Sequence, residues 1–241
     1  MHAPYERILP GAENAVVLIH GIVSTPRFWD DYVDAIPEDW SVVNLLLPGH
    51  GGTVRDFGRT KPGAWRAHVQ AILARLRTQH RRILLVGHSM GGLLAILEAA
   101  DTPEQIAGLL LLAPALRIRV KPSALWHNLL KGVGLGESRE ELARYYGTEP
   151  DWRFWRYIGW IPRYLELFSL SRQARSALTR LNIPTRAFLH GKDELVSPKS
   201  GTHLAACPCV TLDTLANSMH HDIAPADCEI IRAALRELCQ S

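Results

Sequence analysis

The hexapeptide Gly87-His88-Ser89-Met90-Gly91-Gly92 stands between the apolar run Ile83-Leu84-Leu85-Val86 and the helix-forming run Leu93-Leu94-Ala95-Ile96-Leu97-Glu98. A chain that passes from strand to helix within so few residues turns sharply. Small residues must flank such a turn, because its backbone is strained and its neighbours are crowded. The turn exposes the serine oxygen at the carboxyl end of its strand. It also aims the first N–H groups of the helix, and the positive end of the helix dipole, at whatever the serine attacks. Gly-x-Ser-x-Gly alone is a weak pattern; the strand before it and the helix after it give it weight.

The rest of the chain supplies a sheet for that turn. Residues 16–19, 42–47, 83–86 and 106–112 are apolar runs suited to strands buried on both faces, and 187–189 and 210–215 read as two further strands. Helical spacing lies between them. Phe28, Trp29, Tyr32, Val33 and Ile36 follow Pro26 and stop at Pro37, and Trp65, Val69, Ile72, Leu73 and Leu76 follow Ala64. A final helix from Pro225 carries Ile230, Ile231, Ala234, Leu235 and Leu238 on one face. This alternation predicts an α/β fold: a mostly parallel sheet of about six or more strands with helices on both faces. At 241 residues and 47% hydrophobic content, the chain fits one compact domain with an insertion.

Residues 116–180 are the insertion. They are broken by Pro122, Gly132, Gly134, Gly136, Pro150 and Pro162, rich in aromatics such as Trp126, Trp152 and Trp155, and contain no strand candidate. They read as a helical cap over the carboxyl edge of the sheet, between core segments 1–115 and 181–241. Gly132-x-Gly134-x-Gly136 follows no strand, so it reads as a loop rather than a phosphate cradle.

Composition narrows the function classes. The formal charge is +3 and scattered, and its densest cluster, Arg75, Arg77, Arg81 and Arg82, complements a helix end; no nucleic-acid partner is expected. Cys207, Cys209, Cys228 and Cys239 lack the spacing of a disulfide framework or zinc site and read as small buried apolar groups. The first residues lack the pattern of a secretory leader, and the longest apolar run is too short to cross a bilayer. A cytoplasmic protein without a stable membrane anchor is expected. The sequence carries no signal for oligomeric state.

A serine hydroxyl needs a base to take its proton, and the base is usually a histidine oriented by a carboxylate. In open α/β sheets these groups cluster at the carboxyl ends of strands. The run 187–189 leads into His190-Gly191-Lys192-Asp193-Glu194-Leu195-Val196, where Asp193 is the expected acid and Glu194 the alternative. The run 210–215 leads into Ser218-Met219-His220-His221, where His220 is the expected base and His221 the alternative. The order Ser…Asp…His suits this topology. Two backbone N–H groups are needed for the oxyanion: Met90, directly after the serine, and Ile22, in the loop after the first strand. His20 and His88 read as supporting hydrogen-bonding residues.

On His20-Gly21, Leu47-Pro48-Gly49-His50-Gly51, Gly87-His88-Ser89-Met90-Gly91-Gly92, His190-Gly191-x-Asp193 and Ser218-x-His220, the chain resembles the α/β-hydrolase superfamily. Within it, the chain is similar to the small carboxylesterase and monoacylglycerol-lipase-like serine hydrolases. The resemblance covers everything except the middle segment. It implies a Ser89–His220–Asp193 triad, an Ile22/Met90 oxyanion hole, an inserted cap, and cleavage of a small-molecule ester with an apolar acyl group, without metal or cofactor. One departure is that Lys192 alone separates Gly191 from Asp193, where many relatives carry two residues; this keeps Glu194 open. Serine in the nucleophile position argues against haloalkane dehalogenase and epoxide hydrolase chemistry, in which relatives use aspartate. Thioester cleavage, carbon–carbon bond hydrolysis and lyase reactions use the same constellation. A non-catalytic binding role for the fold is the remaining alternative.

Overall fold

Residues 3–119, 147–149 and 151–240 are described by the computed structural model. Strands β1 (Tyr5–Arg7) and β2 (Asn14–Ile19) precede two short 3-10 turns, Pro26–Trp29 and Val33–Ala35. Then come β3 (Ser41–Asn44), β4 (Gly52–Thr53), α1 (Val54–Gly58) and α2 (Ala64–Arg77). β5 (Arg82–His88) runs into α3 (Met90–Asp101), and β6 (Ile106–Leu112) follows. β7 (Thr148–Glu149), a 3-10 stretch at Phe154–Trp160 and α4 (Ile161–Ala177) lie before β8 (Thr185–His190). α5 (Ser200–Ala205), β9 (Val210–Leu215) and α6 (Pro225–Gln240) follow.

Seven strands form one sheet in the order β1-β3-β2-β5-β6-β8-β9. Every neighbouring pair is parallel except β1 on β3. The continuous apolar runs exist because both faces are covered. In β2, Ala15, Val17 and Ile19 face the layer of α2, α3 and α4, while Val16 and Leu18 face the layer of α6 and the 3-10 turns. β5 divides the same way, with Ile83 and Leu85 on one side and Leu84 and Val86 on the other. This is the mostly parallel α/β sheet with helices on both faces expected from the alternation of runs, and it agrees with the α/β-hydrolase fold that the resemblance implies.

The segment expected to be one helix after Pro26 is instead two 3-10 turns. The aromatic and β-branched side chains between Pro26 and Pro37 are poor helix formers. The spacing still works: Phe28, Trp29, Tyr32 and Ile36 are buried under the sheet. The middle segment holds a short strand that its composition does not announce, β7, which pairs in parallel with β4. Its long helix α4 does not stand apart from the core. Leu167, Leu170, Ala174 and Ala177 join the buried cluster of α3, and the Trp160 indole donates to the Val54 carbonyl at 2.9 Å. Among the cysteines, Cys207 and Cys239 are buried, Cys209 and Cys228 are half-buried, and all four are free thiols. Trp126, Pro122, Pro150 and the Gly132–Gly134–Gly136 repeat lie outside the described residues.

Candidate active site

Ser89 is the single residue between β5 and α3. Its backbone sits at φ 53° and ψ −113°, a region in which an L-residue is strained. The neighbourhood imposes this. A Cβ on Gly91 would lie 2.0 Å from the Ile19 carbonyl oxygen, and one on Gly87 would lie 2.6 Å from the Gly91 carbonyl. Helix α3 therefore rests directly on the end of β2. Both Ser89 backbone groups are tied down: its N–H donates to Leu112 O at 2.9 Å, and its carbonyl accepts from Ala115 N at 3.2 Å.

Asp193 follows β8 and His220 follows β9, so both stand at the carboxyl edge of the sheet beside Ser89. The structure brings the three together. His220 Nε2 is 3.0 Å from Ser89 Oγ, and His220 Nδ1 is 2.8 Å from Asp193 Oδ2. The other Asp193 oxygen accepts the N–H groups of Leu195 at 2.8 Å and Val196 at 2.7 Å. Burial by itself would push this carboxyl's pKa up. The charge and hydrogen bond of His220, with the two backbone donors, outweigh burial and hold it below the usual value. Ser89, Asp193 and His220 are 4%, 6% and 2% exposed, so the hydrogen bonds between them are shielded from bulk water.

The two alternatives from the sequence lie elsewhere. Glu194 turns to the backbone of the loop and accepts the His220 N–H at 3.2 Å. The His221 ring stands edge-on to His220, with centroids 4.8 Å apart, outside the line from Ser89 to Asp193.

Met90 is the first residue of α3, so its N–H has no carbonyl one turn back to bind. Ile22 lies in a turn closed by Ser24 N donating to Gly21 O, with Val23 at φ 55°. The Val23 N–H is taken by His50 Nε2 at 3.0 Å. Of the donors in this turn, those of Val23 and Ser24 are thus engaged by the protein itself. His20 and His50 pin this region to the loop after β3. His20 Nε2 accepts from Leu47 N, and His50 Nδ1 faces the Leu47 and Pro48 carbonyls. Burial pushes the His50 pKa down to about 4, keeping it an acceptor for Val23.

Sequence reasoning passed over two groups near the site, Asp227 and His190, and gave a third, His88, only a supporting part. Asp227, in the first turn of α6, accepts the Ser218 hydroxyl at 2.6 Å and the Asn217 N–H at 3.1 Å. His190 donates from Nδ1 to Met219 O at 2.8 Å. His88, read only as a supporting residue, faces His220 O from Nε2 at 3.0 Å. The buried histidine at a strand end was the available signal, but its acceptor arrives from a loop far along the chain. Among the described residues, no cluster of three or more His, Cys, Asp or Glu side chains could hold a metal ion.

Residues 16–229 match the family model described as alpha/beta hydrolase family. A pimeloyl-[acyl-carrier protein] methyl ester esterase of Neisseria meningitidis is 26% identical over 217 residues, covering 81% of this chain and 82% of that protein. Monoacylglycerol lipase abhd6-A of Xenopus laevis is 36% identical over 115 residues, 44% of this chain and 32% of its own length. A solved structure from the metagenome-derived lipolytic enzymes LipS and LipT superposes with a TM-score of 0.77 at 21% identity, covering 99% of this chain and 97% of that one. With a family model spanning nearly all of the sheet and the elements that carry Ser89, Asp193 and His220, the chain belongs to the alpha/beta hydrolase family.

Proposed function

We propose that this protein hydrolyses carboxylic esters through an acyl-enzyme on Ser89, with His220 as base and acid and Asp193 as the group that orients it. The observation that carries the reading is the unbroken line of hydrogen bonds from Ser89 Oγ through both nitrogens of His220 to Asp193. In this reading, Ser89 attacks the ester carbonyl as its proton passes to Nε2. The carboxylate of Asp193 holds the N–H on Nδ1 and stabilises the imidazolium that forms. The oxyanion takes hydrogen bonds from the N–H groups of Met90 and Ile22. Each such donor is worth about 3 kcal/mol in the transition state. The leaving alcohol takes the proton from Nε2, and a water molecule repeats the sequence to release the acid.

The substrate is a small-molecule ester with an apolar acyl group, and residues 116–180 act as the cap that selects it. Among the described residues, no helix is long and apolar enough to cross a membrane. A second reading within ester hydrolysis is a methyl ester carried on an acyl-carrier protein, as the name of the Neisseria relative gives for that enzyme. The observation in its favour is an open pocket of about 330 Å³ lined by Arg55, Gly58, Arg59, Arg156 and Gly159, where α1 meets the 3-10 stretch before α4; Arg156 is already paired with Asp151, and Arg55 and Arg59 suit anionic groups on a carrier.

An active-site-directed fluorophosphonate tests the chemistry. It should label the wild type and fail to label Ser89→Ala; a folded wild type that resists labelling would return the fold to a binding role. Hydrolysis of p-nitrophenyl esters of graded acyl length, set beside a methyl ester on free acid and on an acyl carrier protein, separates the two substrate readings. A large preference for the carrier-bound ester selects the second.

A further inference from the structure

The residues around His220 are held by polar contacts rather than by packing. They follow β9, an edge strand in which only Leu215 is buried. Little apolar surface is available there to fix a side chain. Instead, much of the backbone from Asn217 to His220 has a polar partner. Asp227 accepts from Asn217, Lys192 N donates to Ser218 O at 3.0 Å, Asp222 O accepts from Met219 N at 2.9 Å, and Glu194 accepts from His220 N. Two buried histidine rings meet the carbonyls of Met219 and His220: His190 Nδ1 at 2.8 Å and His88 Nε2 at 3.0 Å.

We infer that His88 and His190 are positioning residues: by donating to the consecutive carbonyls of His220 and Met219, they fix where the His220 ring stands between Ser89 and Asp193. The inference rests on the catalytic reading of Ser89 and His220 given above.

A carbonyl only accepts, so the tautomers follow: His88 carries its proton on Nε2 and His190 on Nδ1. The second nitrogens, His88 Nδ1 and His190 Nε2, have no hydrogen-bond partner among the described residues. An imidazolium would place a buried N–H there with nothing to accept it, so the geometry suits neutral rings. Burial acts in the same direction on both. It drives the His88 pKa well below the ordinary value, helped by the neighbouring His220, His221 and His190. It takes His190 to about 4, helped by His220 and opposed by Asp193 and Asp227. Each ring thus supplies one steady donor and adds no positive charge beside a base that must itself become cationic. His88 is in turn held flat against Phe28, with centroids 4.1 Å apart, and the His88 and His190 planes lie within 14° of each other.

Conservative variants separate positioning from packing. Asparagine at 190 keeps an amide nitrogen near the place of Nδ1, and glutamine at 88 keeps one near the place of Nε2; alanine removes the donor. His190→Ala and His88→Ala should lower kcat on a p-nitrophenyl ester about tenfold to a hundredfold, the range for a small misplacement of a catalytic group. KM should stay within roughly twofold, and fluorophosphonate labelling of Ser89 should slow in step with kcat. His190→Asn and His88→Gln should recover most of the loss. Circular dichroism and thermal melts identify the folded variants, and if His88→Ala does not fold, the His190 pair decides. Alanine variants that fold and keep the wild-type kcat overturn the proposal. So does failure of both amide variants to recover activity while stable. A wild type that is neither labelled nor active overturns the catalytic reading and this inference with it. Activity that is lost in Ser89→Ala yet unchanged in His190→Ala overturns this inference alone.

Discussion

At Ser89 the backbone holds a conformation that costs an ordinary L-residue roughly 1–3 kcal/mol and glycine much less. Ser89→Ala keeps the strain and loses the hydroxyl, whereas Ser89→Gly loses both. Both variants should be inactive, and Ser89→Gly should melt higher, by about 2–4 °C per kcal/mol released in a domain of this size. A lower melting temperature for the glycine variant would mean that the turn is not strained. The two acids after β8 separate as clearly. Asp193→Asn offers His220 Nδ1 an amide and favours the wrong tautomer, so kcat should fall by about 10⁴. Glu194→Gln still presents an oxygen to the His220 N–H and should be mild. Steady-state kinetics on both decide it, and a crippled Glu194→Gln would move the acid to position 194. Strand ends single out the serine, the acid and the histidine because the chain order leaves few candidates at the carboxyl edge. The donors from His88 and His190 could not be read the same way. Their role depends on carbonyls more than a hundred and nearly thirty residues away in sequence.

The central strands and long helices were legible because each buries both faces or one continuous stripe. Alternating side chains of β2 and β5 enter two separate apolar clusters, which is why their sequences read as unbroken apolar runs. What escaped has no such signature. β1 is a mostly exposed edge strand, Tyr5-Glu6-Arg7, and β7 is two residues long. The last helix of the middle segment misleads in the opposite direction. Its inner face joins the core through Leu167, Leu170 and Ala174, while Ile161, Leu165 and Phe168 are exposed, so it is apolar on two sides. Just before it, Trp152 is 72% and Trp155 49% exposed. Side chains so open contribute little to the core. Trp152→Ala and Trp155→Ala should therefore shift the preferred acyl length while moving the melting temperature by only about 1 °C, as for surface substitutions. Rates across the ester panel check this, and an unchanged length profile in both variants would remove this stretch from substrate selection.

Acid should act on the whole molecule in two stages. Burial pushes the folded-state pKa values of His50 and His190 down to about 4, below the ordinary histidine value of 6.5. Between those values the unfolded chain binds more protons than the folded one, so stability rises with pH across that window. Their contribution is complete above about pH 6.5 and is lost as the pH falls toward 4, on the order of 3 kcal/mol for each ring. Asp193 acts lower, because its depressed pKa gives a contribution that is present above the unfolded carboxyl value and lost as the pH falls through the folded one. Urea midpoints should drop clearly from pH 7.5 to pH 4.5, and His50→Gln should shrink that drop; equal wild-type midpoints would contradict the buried neutral rings. The strand order carries one more consequence. The turn at Ser89 is built from β2, β5, β6 and α3, all encoded before residue 116, but its hydrogen-bonding partners arrive on the last two strands. A nascent chain therefore displays the Ser89 hydroxyl without its histidine partner until His220 has been made. On the catalytic reading proposed above, reactivity switches on only when β9 has zipped onto β8, so a fluorophosphonate should leave a chain stopped before His220 unmarked.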